Sequence, residues 1–403
     1  MRNRLAALAA TMGVVLVSGA CIPGPGATTT TTTPQAVGMK RVGYFSEGRI
    51  YDGYQPKNLV TSGTAAKLTH LSVSFGNIVN GQCAQGDAYA ETGMVYDAAS
   101  SVDGIADSTA PGTLHGIFGQ LRKLKAMYPA LKVFWTFGGG SAWSGGFTQA
   151  ATNPVAFANS CYSLVHDARW AGLFDGIDID WEFPNSCVAT CDASGPNAFR
   201  NLMAAVRNRF GNELVLAAVP GGPSYIAAGG YENVSQYVDW FTVMAFDFVG
   251  SWTPFGPTAP HSALSDYAGT PIPGLNAQST VSTYRNMGIP AEKLVLGVTF
   301  YGVGWTGVTQ TAPGGSATGL ADGSHGSGLE AYRVLAVTCP PTGTVGGTAY
   351  AKCGPNWWTY DTPTTLAAKA RWAKSQGLGG TAFWELSMDT ADGQLVSALH
   401  ANR

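Results

Sequence analysis

Eight short apolar runs, separated by segments with a helical period, constrain the fold of this sequence more than any other feature. They cover residues 41–45, 68–75, 132–137, 176–180, 214–219, 240–245, 293–299 and 380–384. Runs of this kind, rich in Val, Ile, Phe and Leu, read as strands buried on both faces, as in parallel sheets. The gaps hold helical patterns. Residues 114–127 carry apolar side chains at helical spacing and stop near Pro129. Residues 154–170, 196–210 and 363–376 each open on proline, which suits a first helical turn, and Gly377 stops the last. Strands alternating with helices imply βαβ units, and eight units predict an α/β fold closed as a (β/α)8 TIM barrel. Roughly 365 residues follow position 37, against the ~250 of a minimal barrel, so insertions are expected. The longest, about 306–360, is rich in Gly, Thr and Pro and holds Cys339 and Cys353. It is expected to form a small subdomain between strands 7 and 8.

Charge narrows the function classes. Only 12% of residues are charged, and 23 basic against 25 acidic residues give a net charge of −2. No basic excess exists to neutralise phosphates, which argues against a nucleic-acid partner. The 11 Trp and an aromatic content of 11% exclude simple disorder.

Residues 1–20 have the form of a secretory signal: Arg2 and Arg4, an apolar run from Leu5 to Val17, then Ser18-Gly19-Ala20. The run is too short for a comfortable membrane span. Cys21 follows directly, so lipid anchoring at the outer face of the cell membrane is the alternative to plain secretion. A lipidation signal usually has leucine three residues before the cysteine, where this chain has Ser18. Residues 21–37, with the run Thr28–Thr33 among prolines and small residues, form a Thr/Pro/Gly-rich linker. The domain itself is expected over 38–403, as a monomer. Six further cysteines suit disulfides in an exported chain: Cys83, Cys161, Cys187, Cys191, Cys339 and Cys353. Local pairing joins Cys187 to Cys191 and Cys339 to Cys353 and leaves Cys83 for Cys161, one of 15 possible connectivities. No His lies near Cys187 and Cys191 to complete a zinc site. Neither a metal nor a cofactor is expected.

The segment Phe174-Asp175-Gly176-Ile177-Asp178-Ile179-Asp180-Trp181-Glu182-Phe183 carries the chemistry. Side chains alternate along a strand. Ile177, Ile179 and Trp181 therefore face the covering helices, and Asp178, Asp180 and Glu182 face into the barrel toward its C-terminal mouth. Successive side chains on one face are about 6.6 Å apart along the strand. Acids so lined repel one another and lose hydration, so a shared proton and at least one raised pKa are expected, as a general acid at neutral pH requires. A salt-bridged strand is the alternative, and few Lys or Arg exist to make it.

Asp175, Asp178, Asp180 and Glu182, read as Asp-x-x-Asp-x-Asp-x-Glu, resemble the signature of family 18 glycoside hydrolases, the chitinases. The resemblance extends in order from about Lys40 to the C-terminus. It includes Val42-Gly43-Tyr44-Phe45, Ser74-Phe75, Thr136-Phe137-Gly138-Gly139, Met244-Ala245-Phe246-Asp247, Tyr301-Gly302 and Phe383-Trp384-Glu385. It is closest to the secreted actinobacterial members.

The resemblance implies chitin or chito-oligosaccharides as substrate and a retaining, substrate-assisted mechanism. Glu182 would be the general acid and base, Asp180 would orient the sugar's acetamido group, and Asp178 would share a proton with Asp180. Asp175 would hold the strand. Asp247 and Met244 would line the substrate site, and Trp384 would be its floor. Tyr44, Phe75, Trp143, Trp252 and Tyr301 are further stacking candidates, since pyranose rings present apolar C–H faces. Trp357 and Trp358 in the insertion are expected to pack. Phe246 stands where the family usually has Tyr, Val303 where Arg is common, Gly140 where Trp often follows, and Thr136 for Ser. Two rival readings stand beside the chitinase: a chitin-binding lectin that kept the barrel and lost catalysis, although such proteins typically lose the acid Glu, and an endo-β-N-acetylglucosaminidase acting on N-glycans, which shares the signature.

Overall fold

In a computed structural model of the chain, the described residues are 38–140, 144–188 and 190–402. The leader and linker assigned to residues 1–37, Cys21 among them, lie outside these, and so does Trp143.

Among the described residues, the eight apolar runs form eight parallel strands. They are β1 (Lys40–Ser46), β2 (His70–Val79), β3 (Lys132–Gly138), β4 (Gly176–Asp180), β5 (Leu214–Pro220), β6 (Trp240–Met244), β7 (Leu294–Thr299) and β8 (Gly380–Trp384). Each pairs with the next, and β8 pairs with β1, Lys40 opposite Gly380, so the sheet closes. The strands are largely apolar because both faces are covered, the polar exceptions such as Ser72, Thr136, Asp178 and Asp180 being buried too. Phe134 points inward with Val42, Tyr44, Leu216 and Trp240, while its neighbours Val133 and Trp135 join the outer core beneath the helices. Each such side chain, fully buried, contributes roughly 1.5–3 kcal/mol. The barrel floor is Trp240, with the His70 ring edge-on at 4.9 Å and Phe134 at 6.3 Å. Burial there pushes the His70 imidazole down to about 4, so it sits in the core uncharged.

Helices Gly116–Met127, Pro154–Val165, Ala198–Phe210 and Pro363–Ser375 occupy the predicted gaps. Proline opens two of them, and Asn153 and Thr362 cap those same two by accepting from the Ala156 and Thr365 N–H groups. Such a cap is worth about 1 kcal/mol.

Strand β2 runs four residues beyond the predicted run. Asn80 and Gly81, at φ 52° and 71°, turn it tightly into a short antiparallel strand, Gln82–Ala84. Asn-Gly is the strongest short hairpin signal, and it was available in the sequence. Cys83 in that strand is disulfide-bonded to Cys161 in helix Pro154–Val165; Cys187–Cys191 and Cys339–Cys353 are the other disulfides among the described residues. Of the 15 connectivities, this is the one built from local pairs.

Between β7 and β8 lies the inserted subdomain, an antiparallel sheet of six strands among the described residues. It begins at Tyr301, five residues before the expected boundary. The chain leaves β7 at Thr299 and turns at once into antiparallel pairing, Tyr301 opposite Ala331 and Gly302 opposite Tyr360. Trp305, Trp357 and Trp358 are all buried in this subdomain.

Candidate active site

Strand β4 divides its side chains as its alternation predicts. Ile177, Ile179 and Trp181 belong to the outer core. Asp178 lies inside the barrel, where its Oδ2 accepts from the Tyr44 hydroxyl at 2.9 Å and from Thr136 Oγ1 at 3.0 Å. Thr136 also bonds Ser72, so one hydroxyl from β2 supports the donor from β3. Asp180 is 5% exposed. Glu182 follows the end of the strand, and its backbone N–H donates to Ser144 Oγ at 2.9 Å. Ser144 in turn donates to Gly139 O, with Asp180 O a second acceptor at 3.1 Å.

Close approach of β3 to β4 explains the paired glycines. At Gly138, φ 105°, an added Cβ would lie 2.2 Å from Asp180 O, and at Gly139, φ 94°, 2.7 Å from the Phe75 ring. A larger residue at Gly138 would push the acid strand away, and one at Gly139 would displace Phe75.

Asp175 occupies the opposite end of the strand. Its carboxylate takes Lys125 Nζ at 2.7 Å, Lys132 Nζ at 3.0 Å and the Val133 N–H at 2.8 Å. The base of the strand is thus ion-paired. Among the described residues, Asp178 and Asp180 receive no such cation, and each keeps one buried Oδ1 without a hydrogen-bond partner.

Electrostatics follow from that placement. Burial pushes Asp178 up to about 6, opposed by the Tyr44 and Thr136 hydrogen bonds. Burial, then the charges of Glu182 and Asp178, push Asp180 well above the carboxylate range. Burial and the charge of Asp247 push Glu182 up to about 7. A carboxyl group with that value can both give and take a proton near neutrality. Tyr44 is held well above its usual range, chiefly by burial, so it remains a hydrogen-bond donor.

Asp247 sits after β6 in a left-handed backbone conformation, φ 54°. Its Oδ1 accepts from the Tyr301 hydroxyl at 2.7 Å and from His261 Nδ1 at 3.2 Å. Trp384, ending β8, stacks on Phe75 at 5.2 Å and meets the Tyr44 ring edge-on at 5.9 Å. Tyr44, Asp180, Met244, Phe246 and Trp384 line one cleft. Of the residues singled out in the sequence, Trp252 stands apart by exposure, at 61% on the β6–β7 loop. Sequence reading missed Ser144, His261 and Thr242, whose Oγ1 accepts from the Tyr44 hydroxyl at 3.3 Å. Each is a lone polar residue outside any motif, and only tertiary contact reveals it. Among the described residues, no group of three His, Cys, Asp or Glu side chains is placed to share a metal ion.

The model of the glycosyl hydrolases family 18 matches residues 40–389. The chain belongs to that family. Within family 18 it is 52% identical over 365 residues to Chitinase 63 of Streptomyces plicatus, covering 89% of this chain and 60% of the relative. It is 51% identical over 384 residues to Chitinase C of Streptomyces lividans, covering 92% and 62%. The chain thus spans about three-fifths of the length of these two relatives. Among solved structures, the catalytic domain of psychrophilic chitinase B from Arthrobacter TAD20 superposes with a TM-score of 0.84 at 33% identity, covering 91% of this chain and 95% of that one.

Proposed function

We propose that this family 18 chain is a secreted chitinase that cleaves β-1,4 links between N-acetylglucosamine units with retention of configuration. The observation that carries the reading is the state of the three acids. They line the barrel mouth with no cation paired to them among the described residues, all pushed toward protonation, with Glu182 at about 7. The chitinase names of the relatives at 51–52% identity support the substrate.

Glu182 donates its proton to the glycosidic oxygen as the C1–O bond breaks. The acetamido carbonyl oxygen of the same sugar forms a bond to C1, giving an oxazolinium ion. Asp180 accepts a hydrogen bond from the acetamido N–H and balances its positive charge. One proton held between Asp178 and Asp180 satisfies their partnerless oxygens. Water then attacks C1, giving its proton to Glu182, and the ring reopens with the original configuration. Trp384, stiffened by Phe75, presents an apolar face to the sugar. Met244 lines the same cleft, Asp247 holds a hydrogen-bonding position beside Glu182, and Trp252 extends the contact along the sugar chain. Asp175 serves the fold, tying β3 and β4 to helix Gly116–Met127.

Export through residues 1–20 fits the three disulfides, which persist in oxidising compartments. Among the described residues, no helix is long and apolar enough to cross a membrane. The decisive experiment follows products from a chitin hexamer over time, with Glu182→Gln as control. The wild-type chain should release shorter oligosaccharides and the variant almost none. Hydrolysis retained by the variant would refute the assigned acid. Binding to chitin without hydrolysis by the wild type would favour the lectin.

A further inference from the structure

His261 is fully buried, lies 14 residues beyond Asp247 on the same β6–β7 connection, and reaches back to it. Its two ring nitrogens have different partners. Nδ1 faces Asp247 Oδ1 at 3.2 Å, and Nε2 faces Thr299 Oγ1, at the end of β7, at 3.4 Å. A carboxylate can only accept, so Nδ1 donates to Asp247, while the Thr299 hydroxyl is the partner of Nε2.

The residue that follows is anchored more firmly still. Ser262 O accepts from Thr348 Oγ1 of the inserted sheet at 2.8 Å and from Lys369 Nζ of helix Pro363–Ser375 at 2.5 Å. Ser262 Oγ donates to Asp361 Oδ2 at 2.9 Å, and Asp361 pairs with Lys369 at 2.5 Å. Lys369 and Asp361 are 2% and 1% exposed. Leu264 N–H donates to Gly346 O at 2.6 Å, closing the loop on the insertion. Breaking a buried ion pair by removing one partner is strongly destabilising, so this anchor is stiff.

We infer that His261 is a positioning residue for the reaction. Its Nδ1–H holds the Asp247 carboxylate in one orientation beside Glu182, and the inserted subdomain sets His261 through Ser262. Asp247 needs such support because its side chain is 43% exposed and its backbone is left-handed. Tyr301, the first residue of the insertion, supplies the other hydrogen bond. On this account the insertion builds part of the active site.

The inference rests on the reading of Glu182 as the acid. The experiment compares His261→Leu, His261→Asn, Thr299→Val and Glu182→Gln on a soluble chito-oligosaccharide, with melting temperature recorded for each. In His261→Leu, kcat should fall about ten- to a hundredfold with KM little changed, since displacing a group by about 1 Å can cost that much. The asparagine amide can occupy the Nδ1 position and donate to Asp247, so His261→Asn should recover most of the loss at equal melting temperature. If His261→Leu fails to fold, Thr299→Val takes its place. That variant leaves the imidazole Nε2 without its hydroxyl partner, so the ring is held less firmly, and it should lower kcat severalfold. An unchanged kcat in whichever of the two folds, or His261→Asn as impaired as the leucine variant, would overturn the inference. Hydrolysis retained in Glu182→Gln would instead remove the reading of the acid.

Discussion

At the scale of single residues, the site stores its cost in protonation. Glu182 titrates at about 7 in the fold, against 4.5 for an ordinary glutamate. The folded state therefore binds its proton more tightly than the unfolded chain. The stabilisation is complete below about pH 4.5 and is lost as pH rises through 7. Glu182→Gln removes the ionisation. It should abolish turnover by a factor of at least ~10² and raise stability at pH 8 by on the order of 1–3 kcal/mol, with much less gain at pH 4. Calorimetry at the two pH values checks the sign. A second residue prediction concerns Phe246, half-buried in the cleft wall beside Met244 and Trp384. The lost hydroxyl is worth about 1–3 kcal/mol of transition-state contact, so Phe246→Tyr should raise kcat on chito-oligosaccharides about ten- to a hundredfold. Equal or lower turnover would show that the hydroxyl has no partner there. The residues of the signature were legible because strand alternation is a local rule. His261 and Ser144 were not, since their partners are brought to them by other strands.

At the scale of elements, periodicity identified all eight barrel strands, and the errors fell at their ends. β2 is longer than its apolar run because the hairpin strand Gln82–Ala84 extends its pairing to Val79. The insertion starts earlier than expected because Tyr301 looks, in sequence, like the end of a barrel strand. The disulfides give a graded prediction. Cys83–Cys161 spans 78 residues and Cys339–Cys353 spans 14. Chain-entropy arguments assign about 4.5 kcal/mol to the first and about 3 to the second. Replacing both cysteines of the first pair by serine should lower the denaturant midpoint more than the same change in the second pair. The reverse order would point to local packing around Cys339 as the larger effect.

At the scale of the whole molecule, a net charge of −2 leaves little global repulsion, so pH dependence comes from individual buried acids. Beside the active site lies a second such group. Glu47 and Glu91 are buried and share a hydrogen bond, and burial pushes both upward; Glu91 adds its charge to the shift of Glu47. Raised carboxyl groups lose their stabilising effect as pH rises. The surface carboxylates held low, such as Asp167 and Asp103, lose theirs only as pH falls through their depressed values. The chain should therefore be most stable between about pH 4 and 6 and weaken toward pH 8. Glu47→Gln should flatten the alkaline side of that profile, measured as melting temperature against pH. A profile that keeps its slope would assign the loss to the active-site acids alone.

By itself, the sequence determined the architecture, the family and the position of the acid strand. These rest on short-range rules: the period of apolar residues, the alternation of a strand, and the spacing of Asp175, Asp178, Asp180 and Glu182. Tertiary structure decided which acids are ion-paired and which stand without a cation, because Lys125 and Lys132 reach only the base of β4. It also decided how Asp247 is held. His261, Tyr301, Thr348 and Lys369 are scattered over more than a hundred residues of sequence, and only the tertiary fold brings the first two to the Asp247 carboxylate and the last two to Ser262 behind it.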